Sequence, residues 1–283
     1  MKRSDSLKKK QIVVLVAGLI LIAALLVGIF LIPAKQSDES INEAMRDEVL
    51  HEVNKINLFG LDVNPGLVSA FTVTGIIFVF ALIVKIFVIP KFTYVPKKFQ
   101  LLLETAVGMF DDMAKGNSPK RNKFLGAYIF TAAAYIFIGT LFELLGLQTL
   151  TTQGRSVSLP APLADINGAI TMGCVSYIVI LSGGIVSNGF KGVGKTLKDF
   201  SLPISMSFRI FGALLSGALV TELVYYFSAL SFVLPVVVGV LFTLLHALIQ
   251  AYVLTMLTSL FYGEVSEKTP KIKKNKKEVV KNV

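Results

Sequence analysis

The chain has 283 residues, of which 54% are hydrophobic and only 16% charged, with mean hydropathy +0.71; a soluble domain of ordinary composition is less apolar and more charged. The formal net charge of +10 does not point to a nucleic-acid partner, because the basic residues gather in the tails and in short loops between apolar runs. A single cysteine, Cys174, inside an apolar run, excludes a disulfide framework and a cysteine metal cluster, and leaves an all-α polytopic membrane protein as the expected class.

Residues 1–33 join a basic start (Lys2, Arg3, Lys8, Lys9, Lys10) to an apolar run at 11–32, long enough to cross about 30 Å of hydrocarbon. The run is longer than a usual signal-peptide core and no clear small-x-small cleavage site follows it. An uncleaved span or signal anchor with a cytoplasmic N-terminus is expected. Residues 34–66 are polar and mostly acidic, as suits an external segment containing a short helix. His51 lies there with no metal-ligand partner at helical spacing and reads as a solvated histidine. The second span is expected at 67–89, with Lys85 close enough to its cytoplasmic end to snorkel.

Phe99, Leu102, Leu103, Ala106, Met109, Phe110 and Met113 then recur at three- and four-residue spacing, with Glu104, Asp111 and Asp112 between them. That period predicts an amphipathic helix lying at the cytoplasmic interface over 99–115. Lys120, Arg121 and Lys123 introduce the third span, 124–147, with Glu143 near its outer end. Residues 148–162 read as an external loop. Asp165, followed by Asn167, opens the fourth span, which runs to about 187; an aspartate before an apolar run is first of all a helix N-cap. Two long helices, about 203–229 and 233–262, lead to a lysine-rich cytoplasmic tail at 263–283. The expected architecture is about six transmembrane helices plus one interfacial helix, with the last two helices forming a long tilted hairpin and both termini cytoplasmic. No internal repeat of the kind that builds transporters from duplicated halves is evident.

Between the fourth and fifth spans, Gly189-Phe-Lys-Gly-Val-Gly194-Lys195-Thr196 fits the phosphate-loop pattern letter for letter. Phosphate binding by such a loop needs a strand before it and a helix after it, so that backbone N–H groups converge on the ligand. A membrane span precedes this stretch and too little chain follows it before Pro203, so a glycine-rich basic turn is expected, with no nucleotide and no other cofactor.

The fifth span carries Arg209 in its interior, where a guanidinium costs roughly 2.5–3.5 kcal/mol on translocon-type scales. Gly212, Ala213, Ser216, Gly217 and Val220 share its face at helical spacing, so the arginine heads a groove of small residues that lets another helix approach closely. Glu222 lies about 220° around the helix and serves a different environment. On the last helix Thr243, His246 and Gln250 form a polar stripe of about two turns. If the two helices form a hairpin, that stripe either meets the arginine face or lines an aqueous path. An imidazole alone there is more often an internal hydrogen-bonding group than a proton carrier, and its ordinary pKa allows either role. Glu143 and Glu222 have the stronger claim to the path, because intramembrane carboxylates face water or a partner.

Two segments then carry a resemblance. Pro203-Ile-Ser-Met-Ser-Phe-Arg209-Ile-Phe-Gly-Ala-Leu-Leu-Ser-Gly217 resembles the arginine segment of subunit a of the F-type ATP synthase membrane sector. Ile249-Gln250-Ala-Tyr-Val-Leu-Thr-Met-Leu-Thr258 resembles the last helix of the same family. Weaker matches occur at 95–100 and at Ala164-Asp165-Ile-Asn167, so the likeness runs from about 95 to 262. The family's asparagine four residues after the arginine is Ala213 here, and its ionisable positions fall on Ala218 and Thr243. Glu222 and His246 each restore an ionisable group about one turn away.

The resemblance implies a stator subunit, not catalytic alone, whose residues 67–262 form an ion-translocating domain. Arg209 would face a ring of c subunits, with Gln250 beside it and Gly212, Ala213, Ser216 and Gly217 as the rotor-facing small residues. Glu222, His246, Glu143, Asp165 and Asn167 would serve two ion half-channels for H⁺ or Na⁺. The implied partners are the c-ring, the b subunits of the peripheral stalk, other subunits of the complex and the lipid bilayer, in a bacterial-type plasma membrane. A self-contained transporter or channel whose Arg209 binds an anionic substrate, and a scaffold subunit whose arginine anchors a partner, are the competing expectations.

Overall fold

The computed structural model describes residues 56–58, 61–119, 122–150, 156–226 and 234–267, together with Val16, Gly18, Ile20, Ala23 and Val27, all five helical. Apart from those five residues, the expected first span at 11–32 lies outside the described residues, as do most of the 34–66 segment with His51, the loop charges Lys120, Arg121 and Arg155, and the tail from 268.

The chain begins its described part with an antiparallel hairpin, β1 (Ile56–Leu58) and β2 (Leu61–Val63), in which Ile56 pairs with Val63. Apolar and polar residues alternate along both strands, a period of two that suits a sheet. Helix α1 (Pro65–Ile83) starts on an Asn-Pro pair: Asn64 Oδ1 accepts from the Gly66 N–H at 2.9 Å, and Pro65 occupies a first-turn position that needs no donor. The helix continues through a π turn (Val84–Val88) and ends in a 3₁₀ turn (Ile89–Lys91), where Pro90 removes a donor from the ladder.

Helix α2 (Lys98–Asn117) follows, then α3 (Asn122–Leu144), a second hairpin of β3 (Gln148–Leu150) and β4 (Ser156–Ser158), α4 (Ile166–Asn188), α5 (Phe190–Leu197), α6 (Ser201–Tyr226) and α7 (Leu234–Ser266). Five helical stretches among the described residues are long and apolar enough to cross a membrane: Pro65–Lys91, Asn122–Leu144, Ile166–Asn188, Ser201–Thr221 and Val236–Ser266. Large apolar side chains such as Phe71, Phe78, Ile178 and Phe208 are exposed on them. In lipid that is the favourable arrangement, since helices satisfy their own backbone and turn apolar side chains outward. The all-α polytopic membrane class therefore holds, with small hairpins as its only described strands.

The Gly189–Thr196 expectation needs correction. The stretch is no turn; Phe190 to Leu197 form α5, begun at Gly189 with a positive φ of 59° that a residue without Cβ adopts at little cost. The helix α4, not a strand, leads into it, so the phosphate-loop reading still fails on context.

The chain divides into two compact units. The first comprises Met1–Phe80, Tyr135–Ala169 and Arg209–Gln250. Its core gathers Val73, Phe142 and Leu159, with Val68, Ile77, Tyr135 and Ile138 packed around them. The second comprises Ala81–Ala134, Ile170–Phe208 and Ala251–Val283. It buries Ala114, Leu125, Ile129, Ile180 and Met206, stacks Phe110 edge-on against Phe130 at 5.8 Å, and joins Tyr128 to Ser176 by a 2.8 Å hydroxyl–hydroxyl bond. Helix α2 belongs to this unit and is amphipathic as expected: Gln100 and Ala114 are buried, while Phe99, Leu102 and Met109 are exposed.

Candidate functional site

All the residues singled out for ion translocation fall in the first unit. Along α6, Arg209, Gly212 and Ser216 are exposed, whereas Ile210 and Leu214 are buried. Spacings of three and four put the exposed three on one edge of the helix. Gly212 has open space where a Cβ would stand, and Ser216 returns its hydroxyl to the Ala213 carbonyl at 2.8 Å, so neither projects a group beyond this edge. Among the described residues Arg209 forms no ion pair.

Ala213 and Gly217 are half-buried, and Gly217 stands elsewhere than on the open edge. A Cβ built on Gly217 would lie 3.5 Å from His246 Nδ1. The glycine thus brings α6 and α7 side by side, as the expected hairpin requires, and its missing side chain leaves room for the imidazole. This neighbour of His246 was not identified from the sequence; the small-x-x-x-small spacing signalled a close contact without saying with what.

On α7 the polar stripe faces inward: Thr243 and Gln250 are buried, the latter 6% exposed, while Leu241, Leu244, Leu245 and Leu248 face outward. The Phe242 ring lies 5.8 Å from the His246 ring. Among the described residues His246 Nδ1 and Gln250 Oε1 are buried with no hydrogen-bond partner. Leaving such an atom unpaired costs about 1–3 kcal/mol, so two of them one turn apart on one face call for an explanation. Glu222 lies on α6 within the same unit; its side chain is outside what is described.

A second group forms at the start of α4. Asp165 Oδ1 accepts from the Asn167 N–H at 2.9 Å, the geometry of an N-cap, and the Asn167 side-chain amide donates to the same oxygen at 3.3 Å. A Cβ on Gly66 would stand 2.9 Å from Asp165 Cβ, so the first turns of α1 and α4 approach closely there. The approach depends on the missing side chain of Gly66, which spacing alone does not single out. Glu143 is half-buried near the end of α3. No group of three or more His, Cys, Asp or Glu side chains suited to a metal occurs among the described residues.

The site therefore consists of an open cationic edge on α6 and a buried, partly unsatisfied polar face on α7, joined where Gly217 meets His246. The family model described as ATP synthase A chain matches residues 67–263. Proteins named ATP synthase subunit a from two strains of Cereibacter sphaeroides are each 26% identical over 179 residues, covering 59% of this chain and 69% of theirs. One from Acidothermus cellulolyticus is 28% identical over 186 residues, covering 60% of this chain and 65% of that one.

Proposed function

The chain belongs to the ATP synthase A chain family, and from that premise we propose that it is the stator subunit through which ion flow drives a ring of c subunits. The observation that carries this reading is the exposed Arg209, without an ion pair among the described residues, on an edge of α6 that it shares with Gly212 and Ser216.

A ring carboxylate facing lipid stays protonated or ion-bound, because its charged form is too costly there. Opposite Arg209 the ionised form is favoured: a unit charge at about 4 Å contributes roughly 4 kcal/mol at an effective dielectric of 20. The carboxylate gives up its ion as it reaches the arginine and takes one up again after passing it. Gly212 and Ser216 let the ring helix come close enough for this exchange.

Two offset aqueous half-channels bring ions to and from the ring, and the fixed charge of Arg209 blocks a direct leak between them. His246 and Gln250, with unpaired buried polar atoms, line one path together with Glu222 from α6. Water bridging such atoms removes their desolvation cost, and a neutral imidazole accepts a proton on one nitrogen while releasing one from the other. Glu143, Asp165 and Asn167 stand at helix ends on the side where ions enter. Each elementary charge crossing 100 mV supplies about 2.3 kcal/mol to bias rotation. The basic loops and both termini face the cytoplasm in this reading, and the b subunits hold the chain against the turning ring.

The test is coupled ATP synthesis in an Arg209→Ala complex whose c-ring is still assembled. Ion-driven synthesis should fall to background, at least a hundredfold. Synthesis at the wild-type rate would overturn the proposal. Arginine-dependent uptake of an anion by the purified chain without its ring would favour a self-contained transporter instead.

A further inference from the structure

The lysine-bearing stretch between α4 and α6, which the ion path does not use, has its own surface. We propose that α5 is an interfacial helix that binds the anionic headgroups of phospholipids in the adjoining leaflet. The inference rests on the membrane architecture and is independent of the role assigned to Arg209.

Helix α5 is pinned by its back. Gly192 and Gly184 cross so closely that a Cβ on Gly192 would fall on the Gly184 carbonyl, and Thr196 is buried, its hydroxyl donating to the Gly192 carbonyl at 3.0 Å. Tyr177 donates to the Thr196 carbonyl at 3.1 Å, and Lys195 reaches the Glu264 carbonyl near the end of α7. The glycines and the threonine of the phosphate-loop-like pattern thus serve packing.

The other side is open and divides in two. Phe190, Gly194 and Leu197 share one face within about 60° of arc, and all are exposed, Phe190 to 96% and Leu197 to 54%. Phe200, just beyond the helix, is 65% exposed. Lys191 and Lys198, both exposed, sit seven positions apart on the flank of that face, within about 20° of each other. The nearby acidic residues are Asp199, which is half-buried, and Glu264 and Glu267 at the end of α7.

Position decides the occupant. Only Gly189 separates the candidate span Ile166–Asn188 from α5, and the next, Ser201–Thr221, starts shortly after α5 ends. A helix tied between two span ends lies at the membrane–water boundary, where aromatic and aliphatic side chains enter the acyl region and lysines reach the headgroups. Lysines there favour negative lipids, and each one removed should weaken that preference roughly fivefold.

The experiment uses the assembled complex carrying Cys174→Ser and Gly194→Cys, with a fluorophore on the new thiol; a Cβ at Gly194 meets nothing within 4 Å. Leu197→Cys offers a second labelling site if the first disturbs assembly. The complex is reconstituted into phosphatidylcholine vesicles containing spin-labelled phosphatidylglycerol or spin-labelled phosphatidylcholine. The proposal expects several-fold stronger quenching by the glycerol lipid, a ratio near one after Lys191→Gln with Lys198→Gln, and no effect of free inorganic phosphate at matched ionic strength. Equal quenching by both lipids overturns it, as does a ratio that survives the double substitution or one that phosphate abolishes. A label shielded from both lipids and from aqueous iodide would mean that a protein covers this face, which also overturns the proposal.

Discussion

The two halves of α7 are built from similar residues and treat polar atoms in opposite ways. Up to Gln250 the helix carries a buried polar face whose His246 Nδ1 and Gln250 Oε1 have no partner. Beyond it, polar groups are engaged. Thr255 and Thr258 return their hydroxyls to carbonyls one turn back at 2.7 and 2.8 Å, and the Asn117 side-chain amide donates to Ser259 Oγ at 3.0 Å. The carbonyls at the helix end are taken up as well: Asn188 Nδ2 donates to Val265 O at 2.9 Å and Glu267 O at 3.1 Å, beside the Lys195 contact to Glu264 O. The exceptions in that second unit are Ser187 Oγ and Ser266 Oγ. One stretch of helix is therefore anchored in the ordinary way, by meeting the last unsatisfied carbonyls. The other leaves two buried polar atoms unsatisfied among the described residues, which lowers stability.

The difference can be broken from either side. The largest effect should come from the anchored unit: Gly192→Leu drives a side chain into the Gly184 backbone, where nothing flexible can yield. Overpacking of this kind typically costs about 1–3 kcal/mol and more where backbone must move. The chain should be lost from the assembled complex, as immunoblots of purified complex would reveal.

His246→Leu cuts the other way. It should lower ion-driven ATP synthesis about tenfold or more while leaving the melting temperature of the complex unchanged or higher, because an unpaired buried nitrogen is replaced by carbon. Activity and stability falling together would mean that His246 is a packing residue. Asn188→Leu should show the reverse pattern, a loss of about 1–2 kcal/mol in denaturant unfolding as two carbonyls lose their donor, with the ion dependence of synthesis unaltered.

The smallest effect is expected on α2. Lys115 lies 2.5 Å from Asp111 and 3.7 Å from Asp112, and the hydrogen bond to Asp111 raises its pKa above the ordinary 10.5. With the folded value raised, any stabilisation is complete below the unfolded value and disappears as pH rises through the folded one. The pair is solvent-exposed, so Lys115→Gln should leave thermal unfolding at neutral pH within error of the parent.

Hydropathy runs made the membrane class and the spans from Pro65 to Ser266 legible, because lipid demands apolar helices of fixed length and no tertiary detail alters that demand. Arg209 was legible for the same reason, as a charge where charge is costly, and the Asp165 cap could be read from a polar residue before an apolar run. Two things were not legible. The segment from Gly189 to Thr196 folds as a helix because its glycines allow contact with Gly184, a partner that local sequence does not reveal. Gly217 was grouped with the open edge because spacing alone assigns a face only to within a turn.

By itself the sequence determined which described segments are long and apolar enough to cross the membrane, which of them carries the arginine, and which family the arginine and glutamine segments resemble. Tertiary structure decided the direction each polar group faces. It leaves the arginine edge open, turns His246 and Gln250 inward, and sets Gly217 against the imidazole. The physical reason is that helical period places residues around an axis, while only packing against a second helix decides which side of that axis is covered.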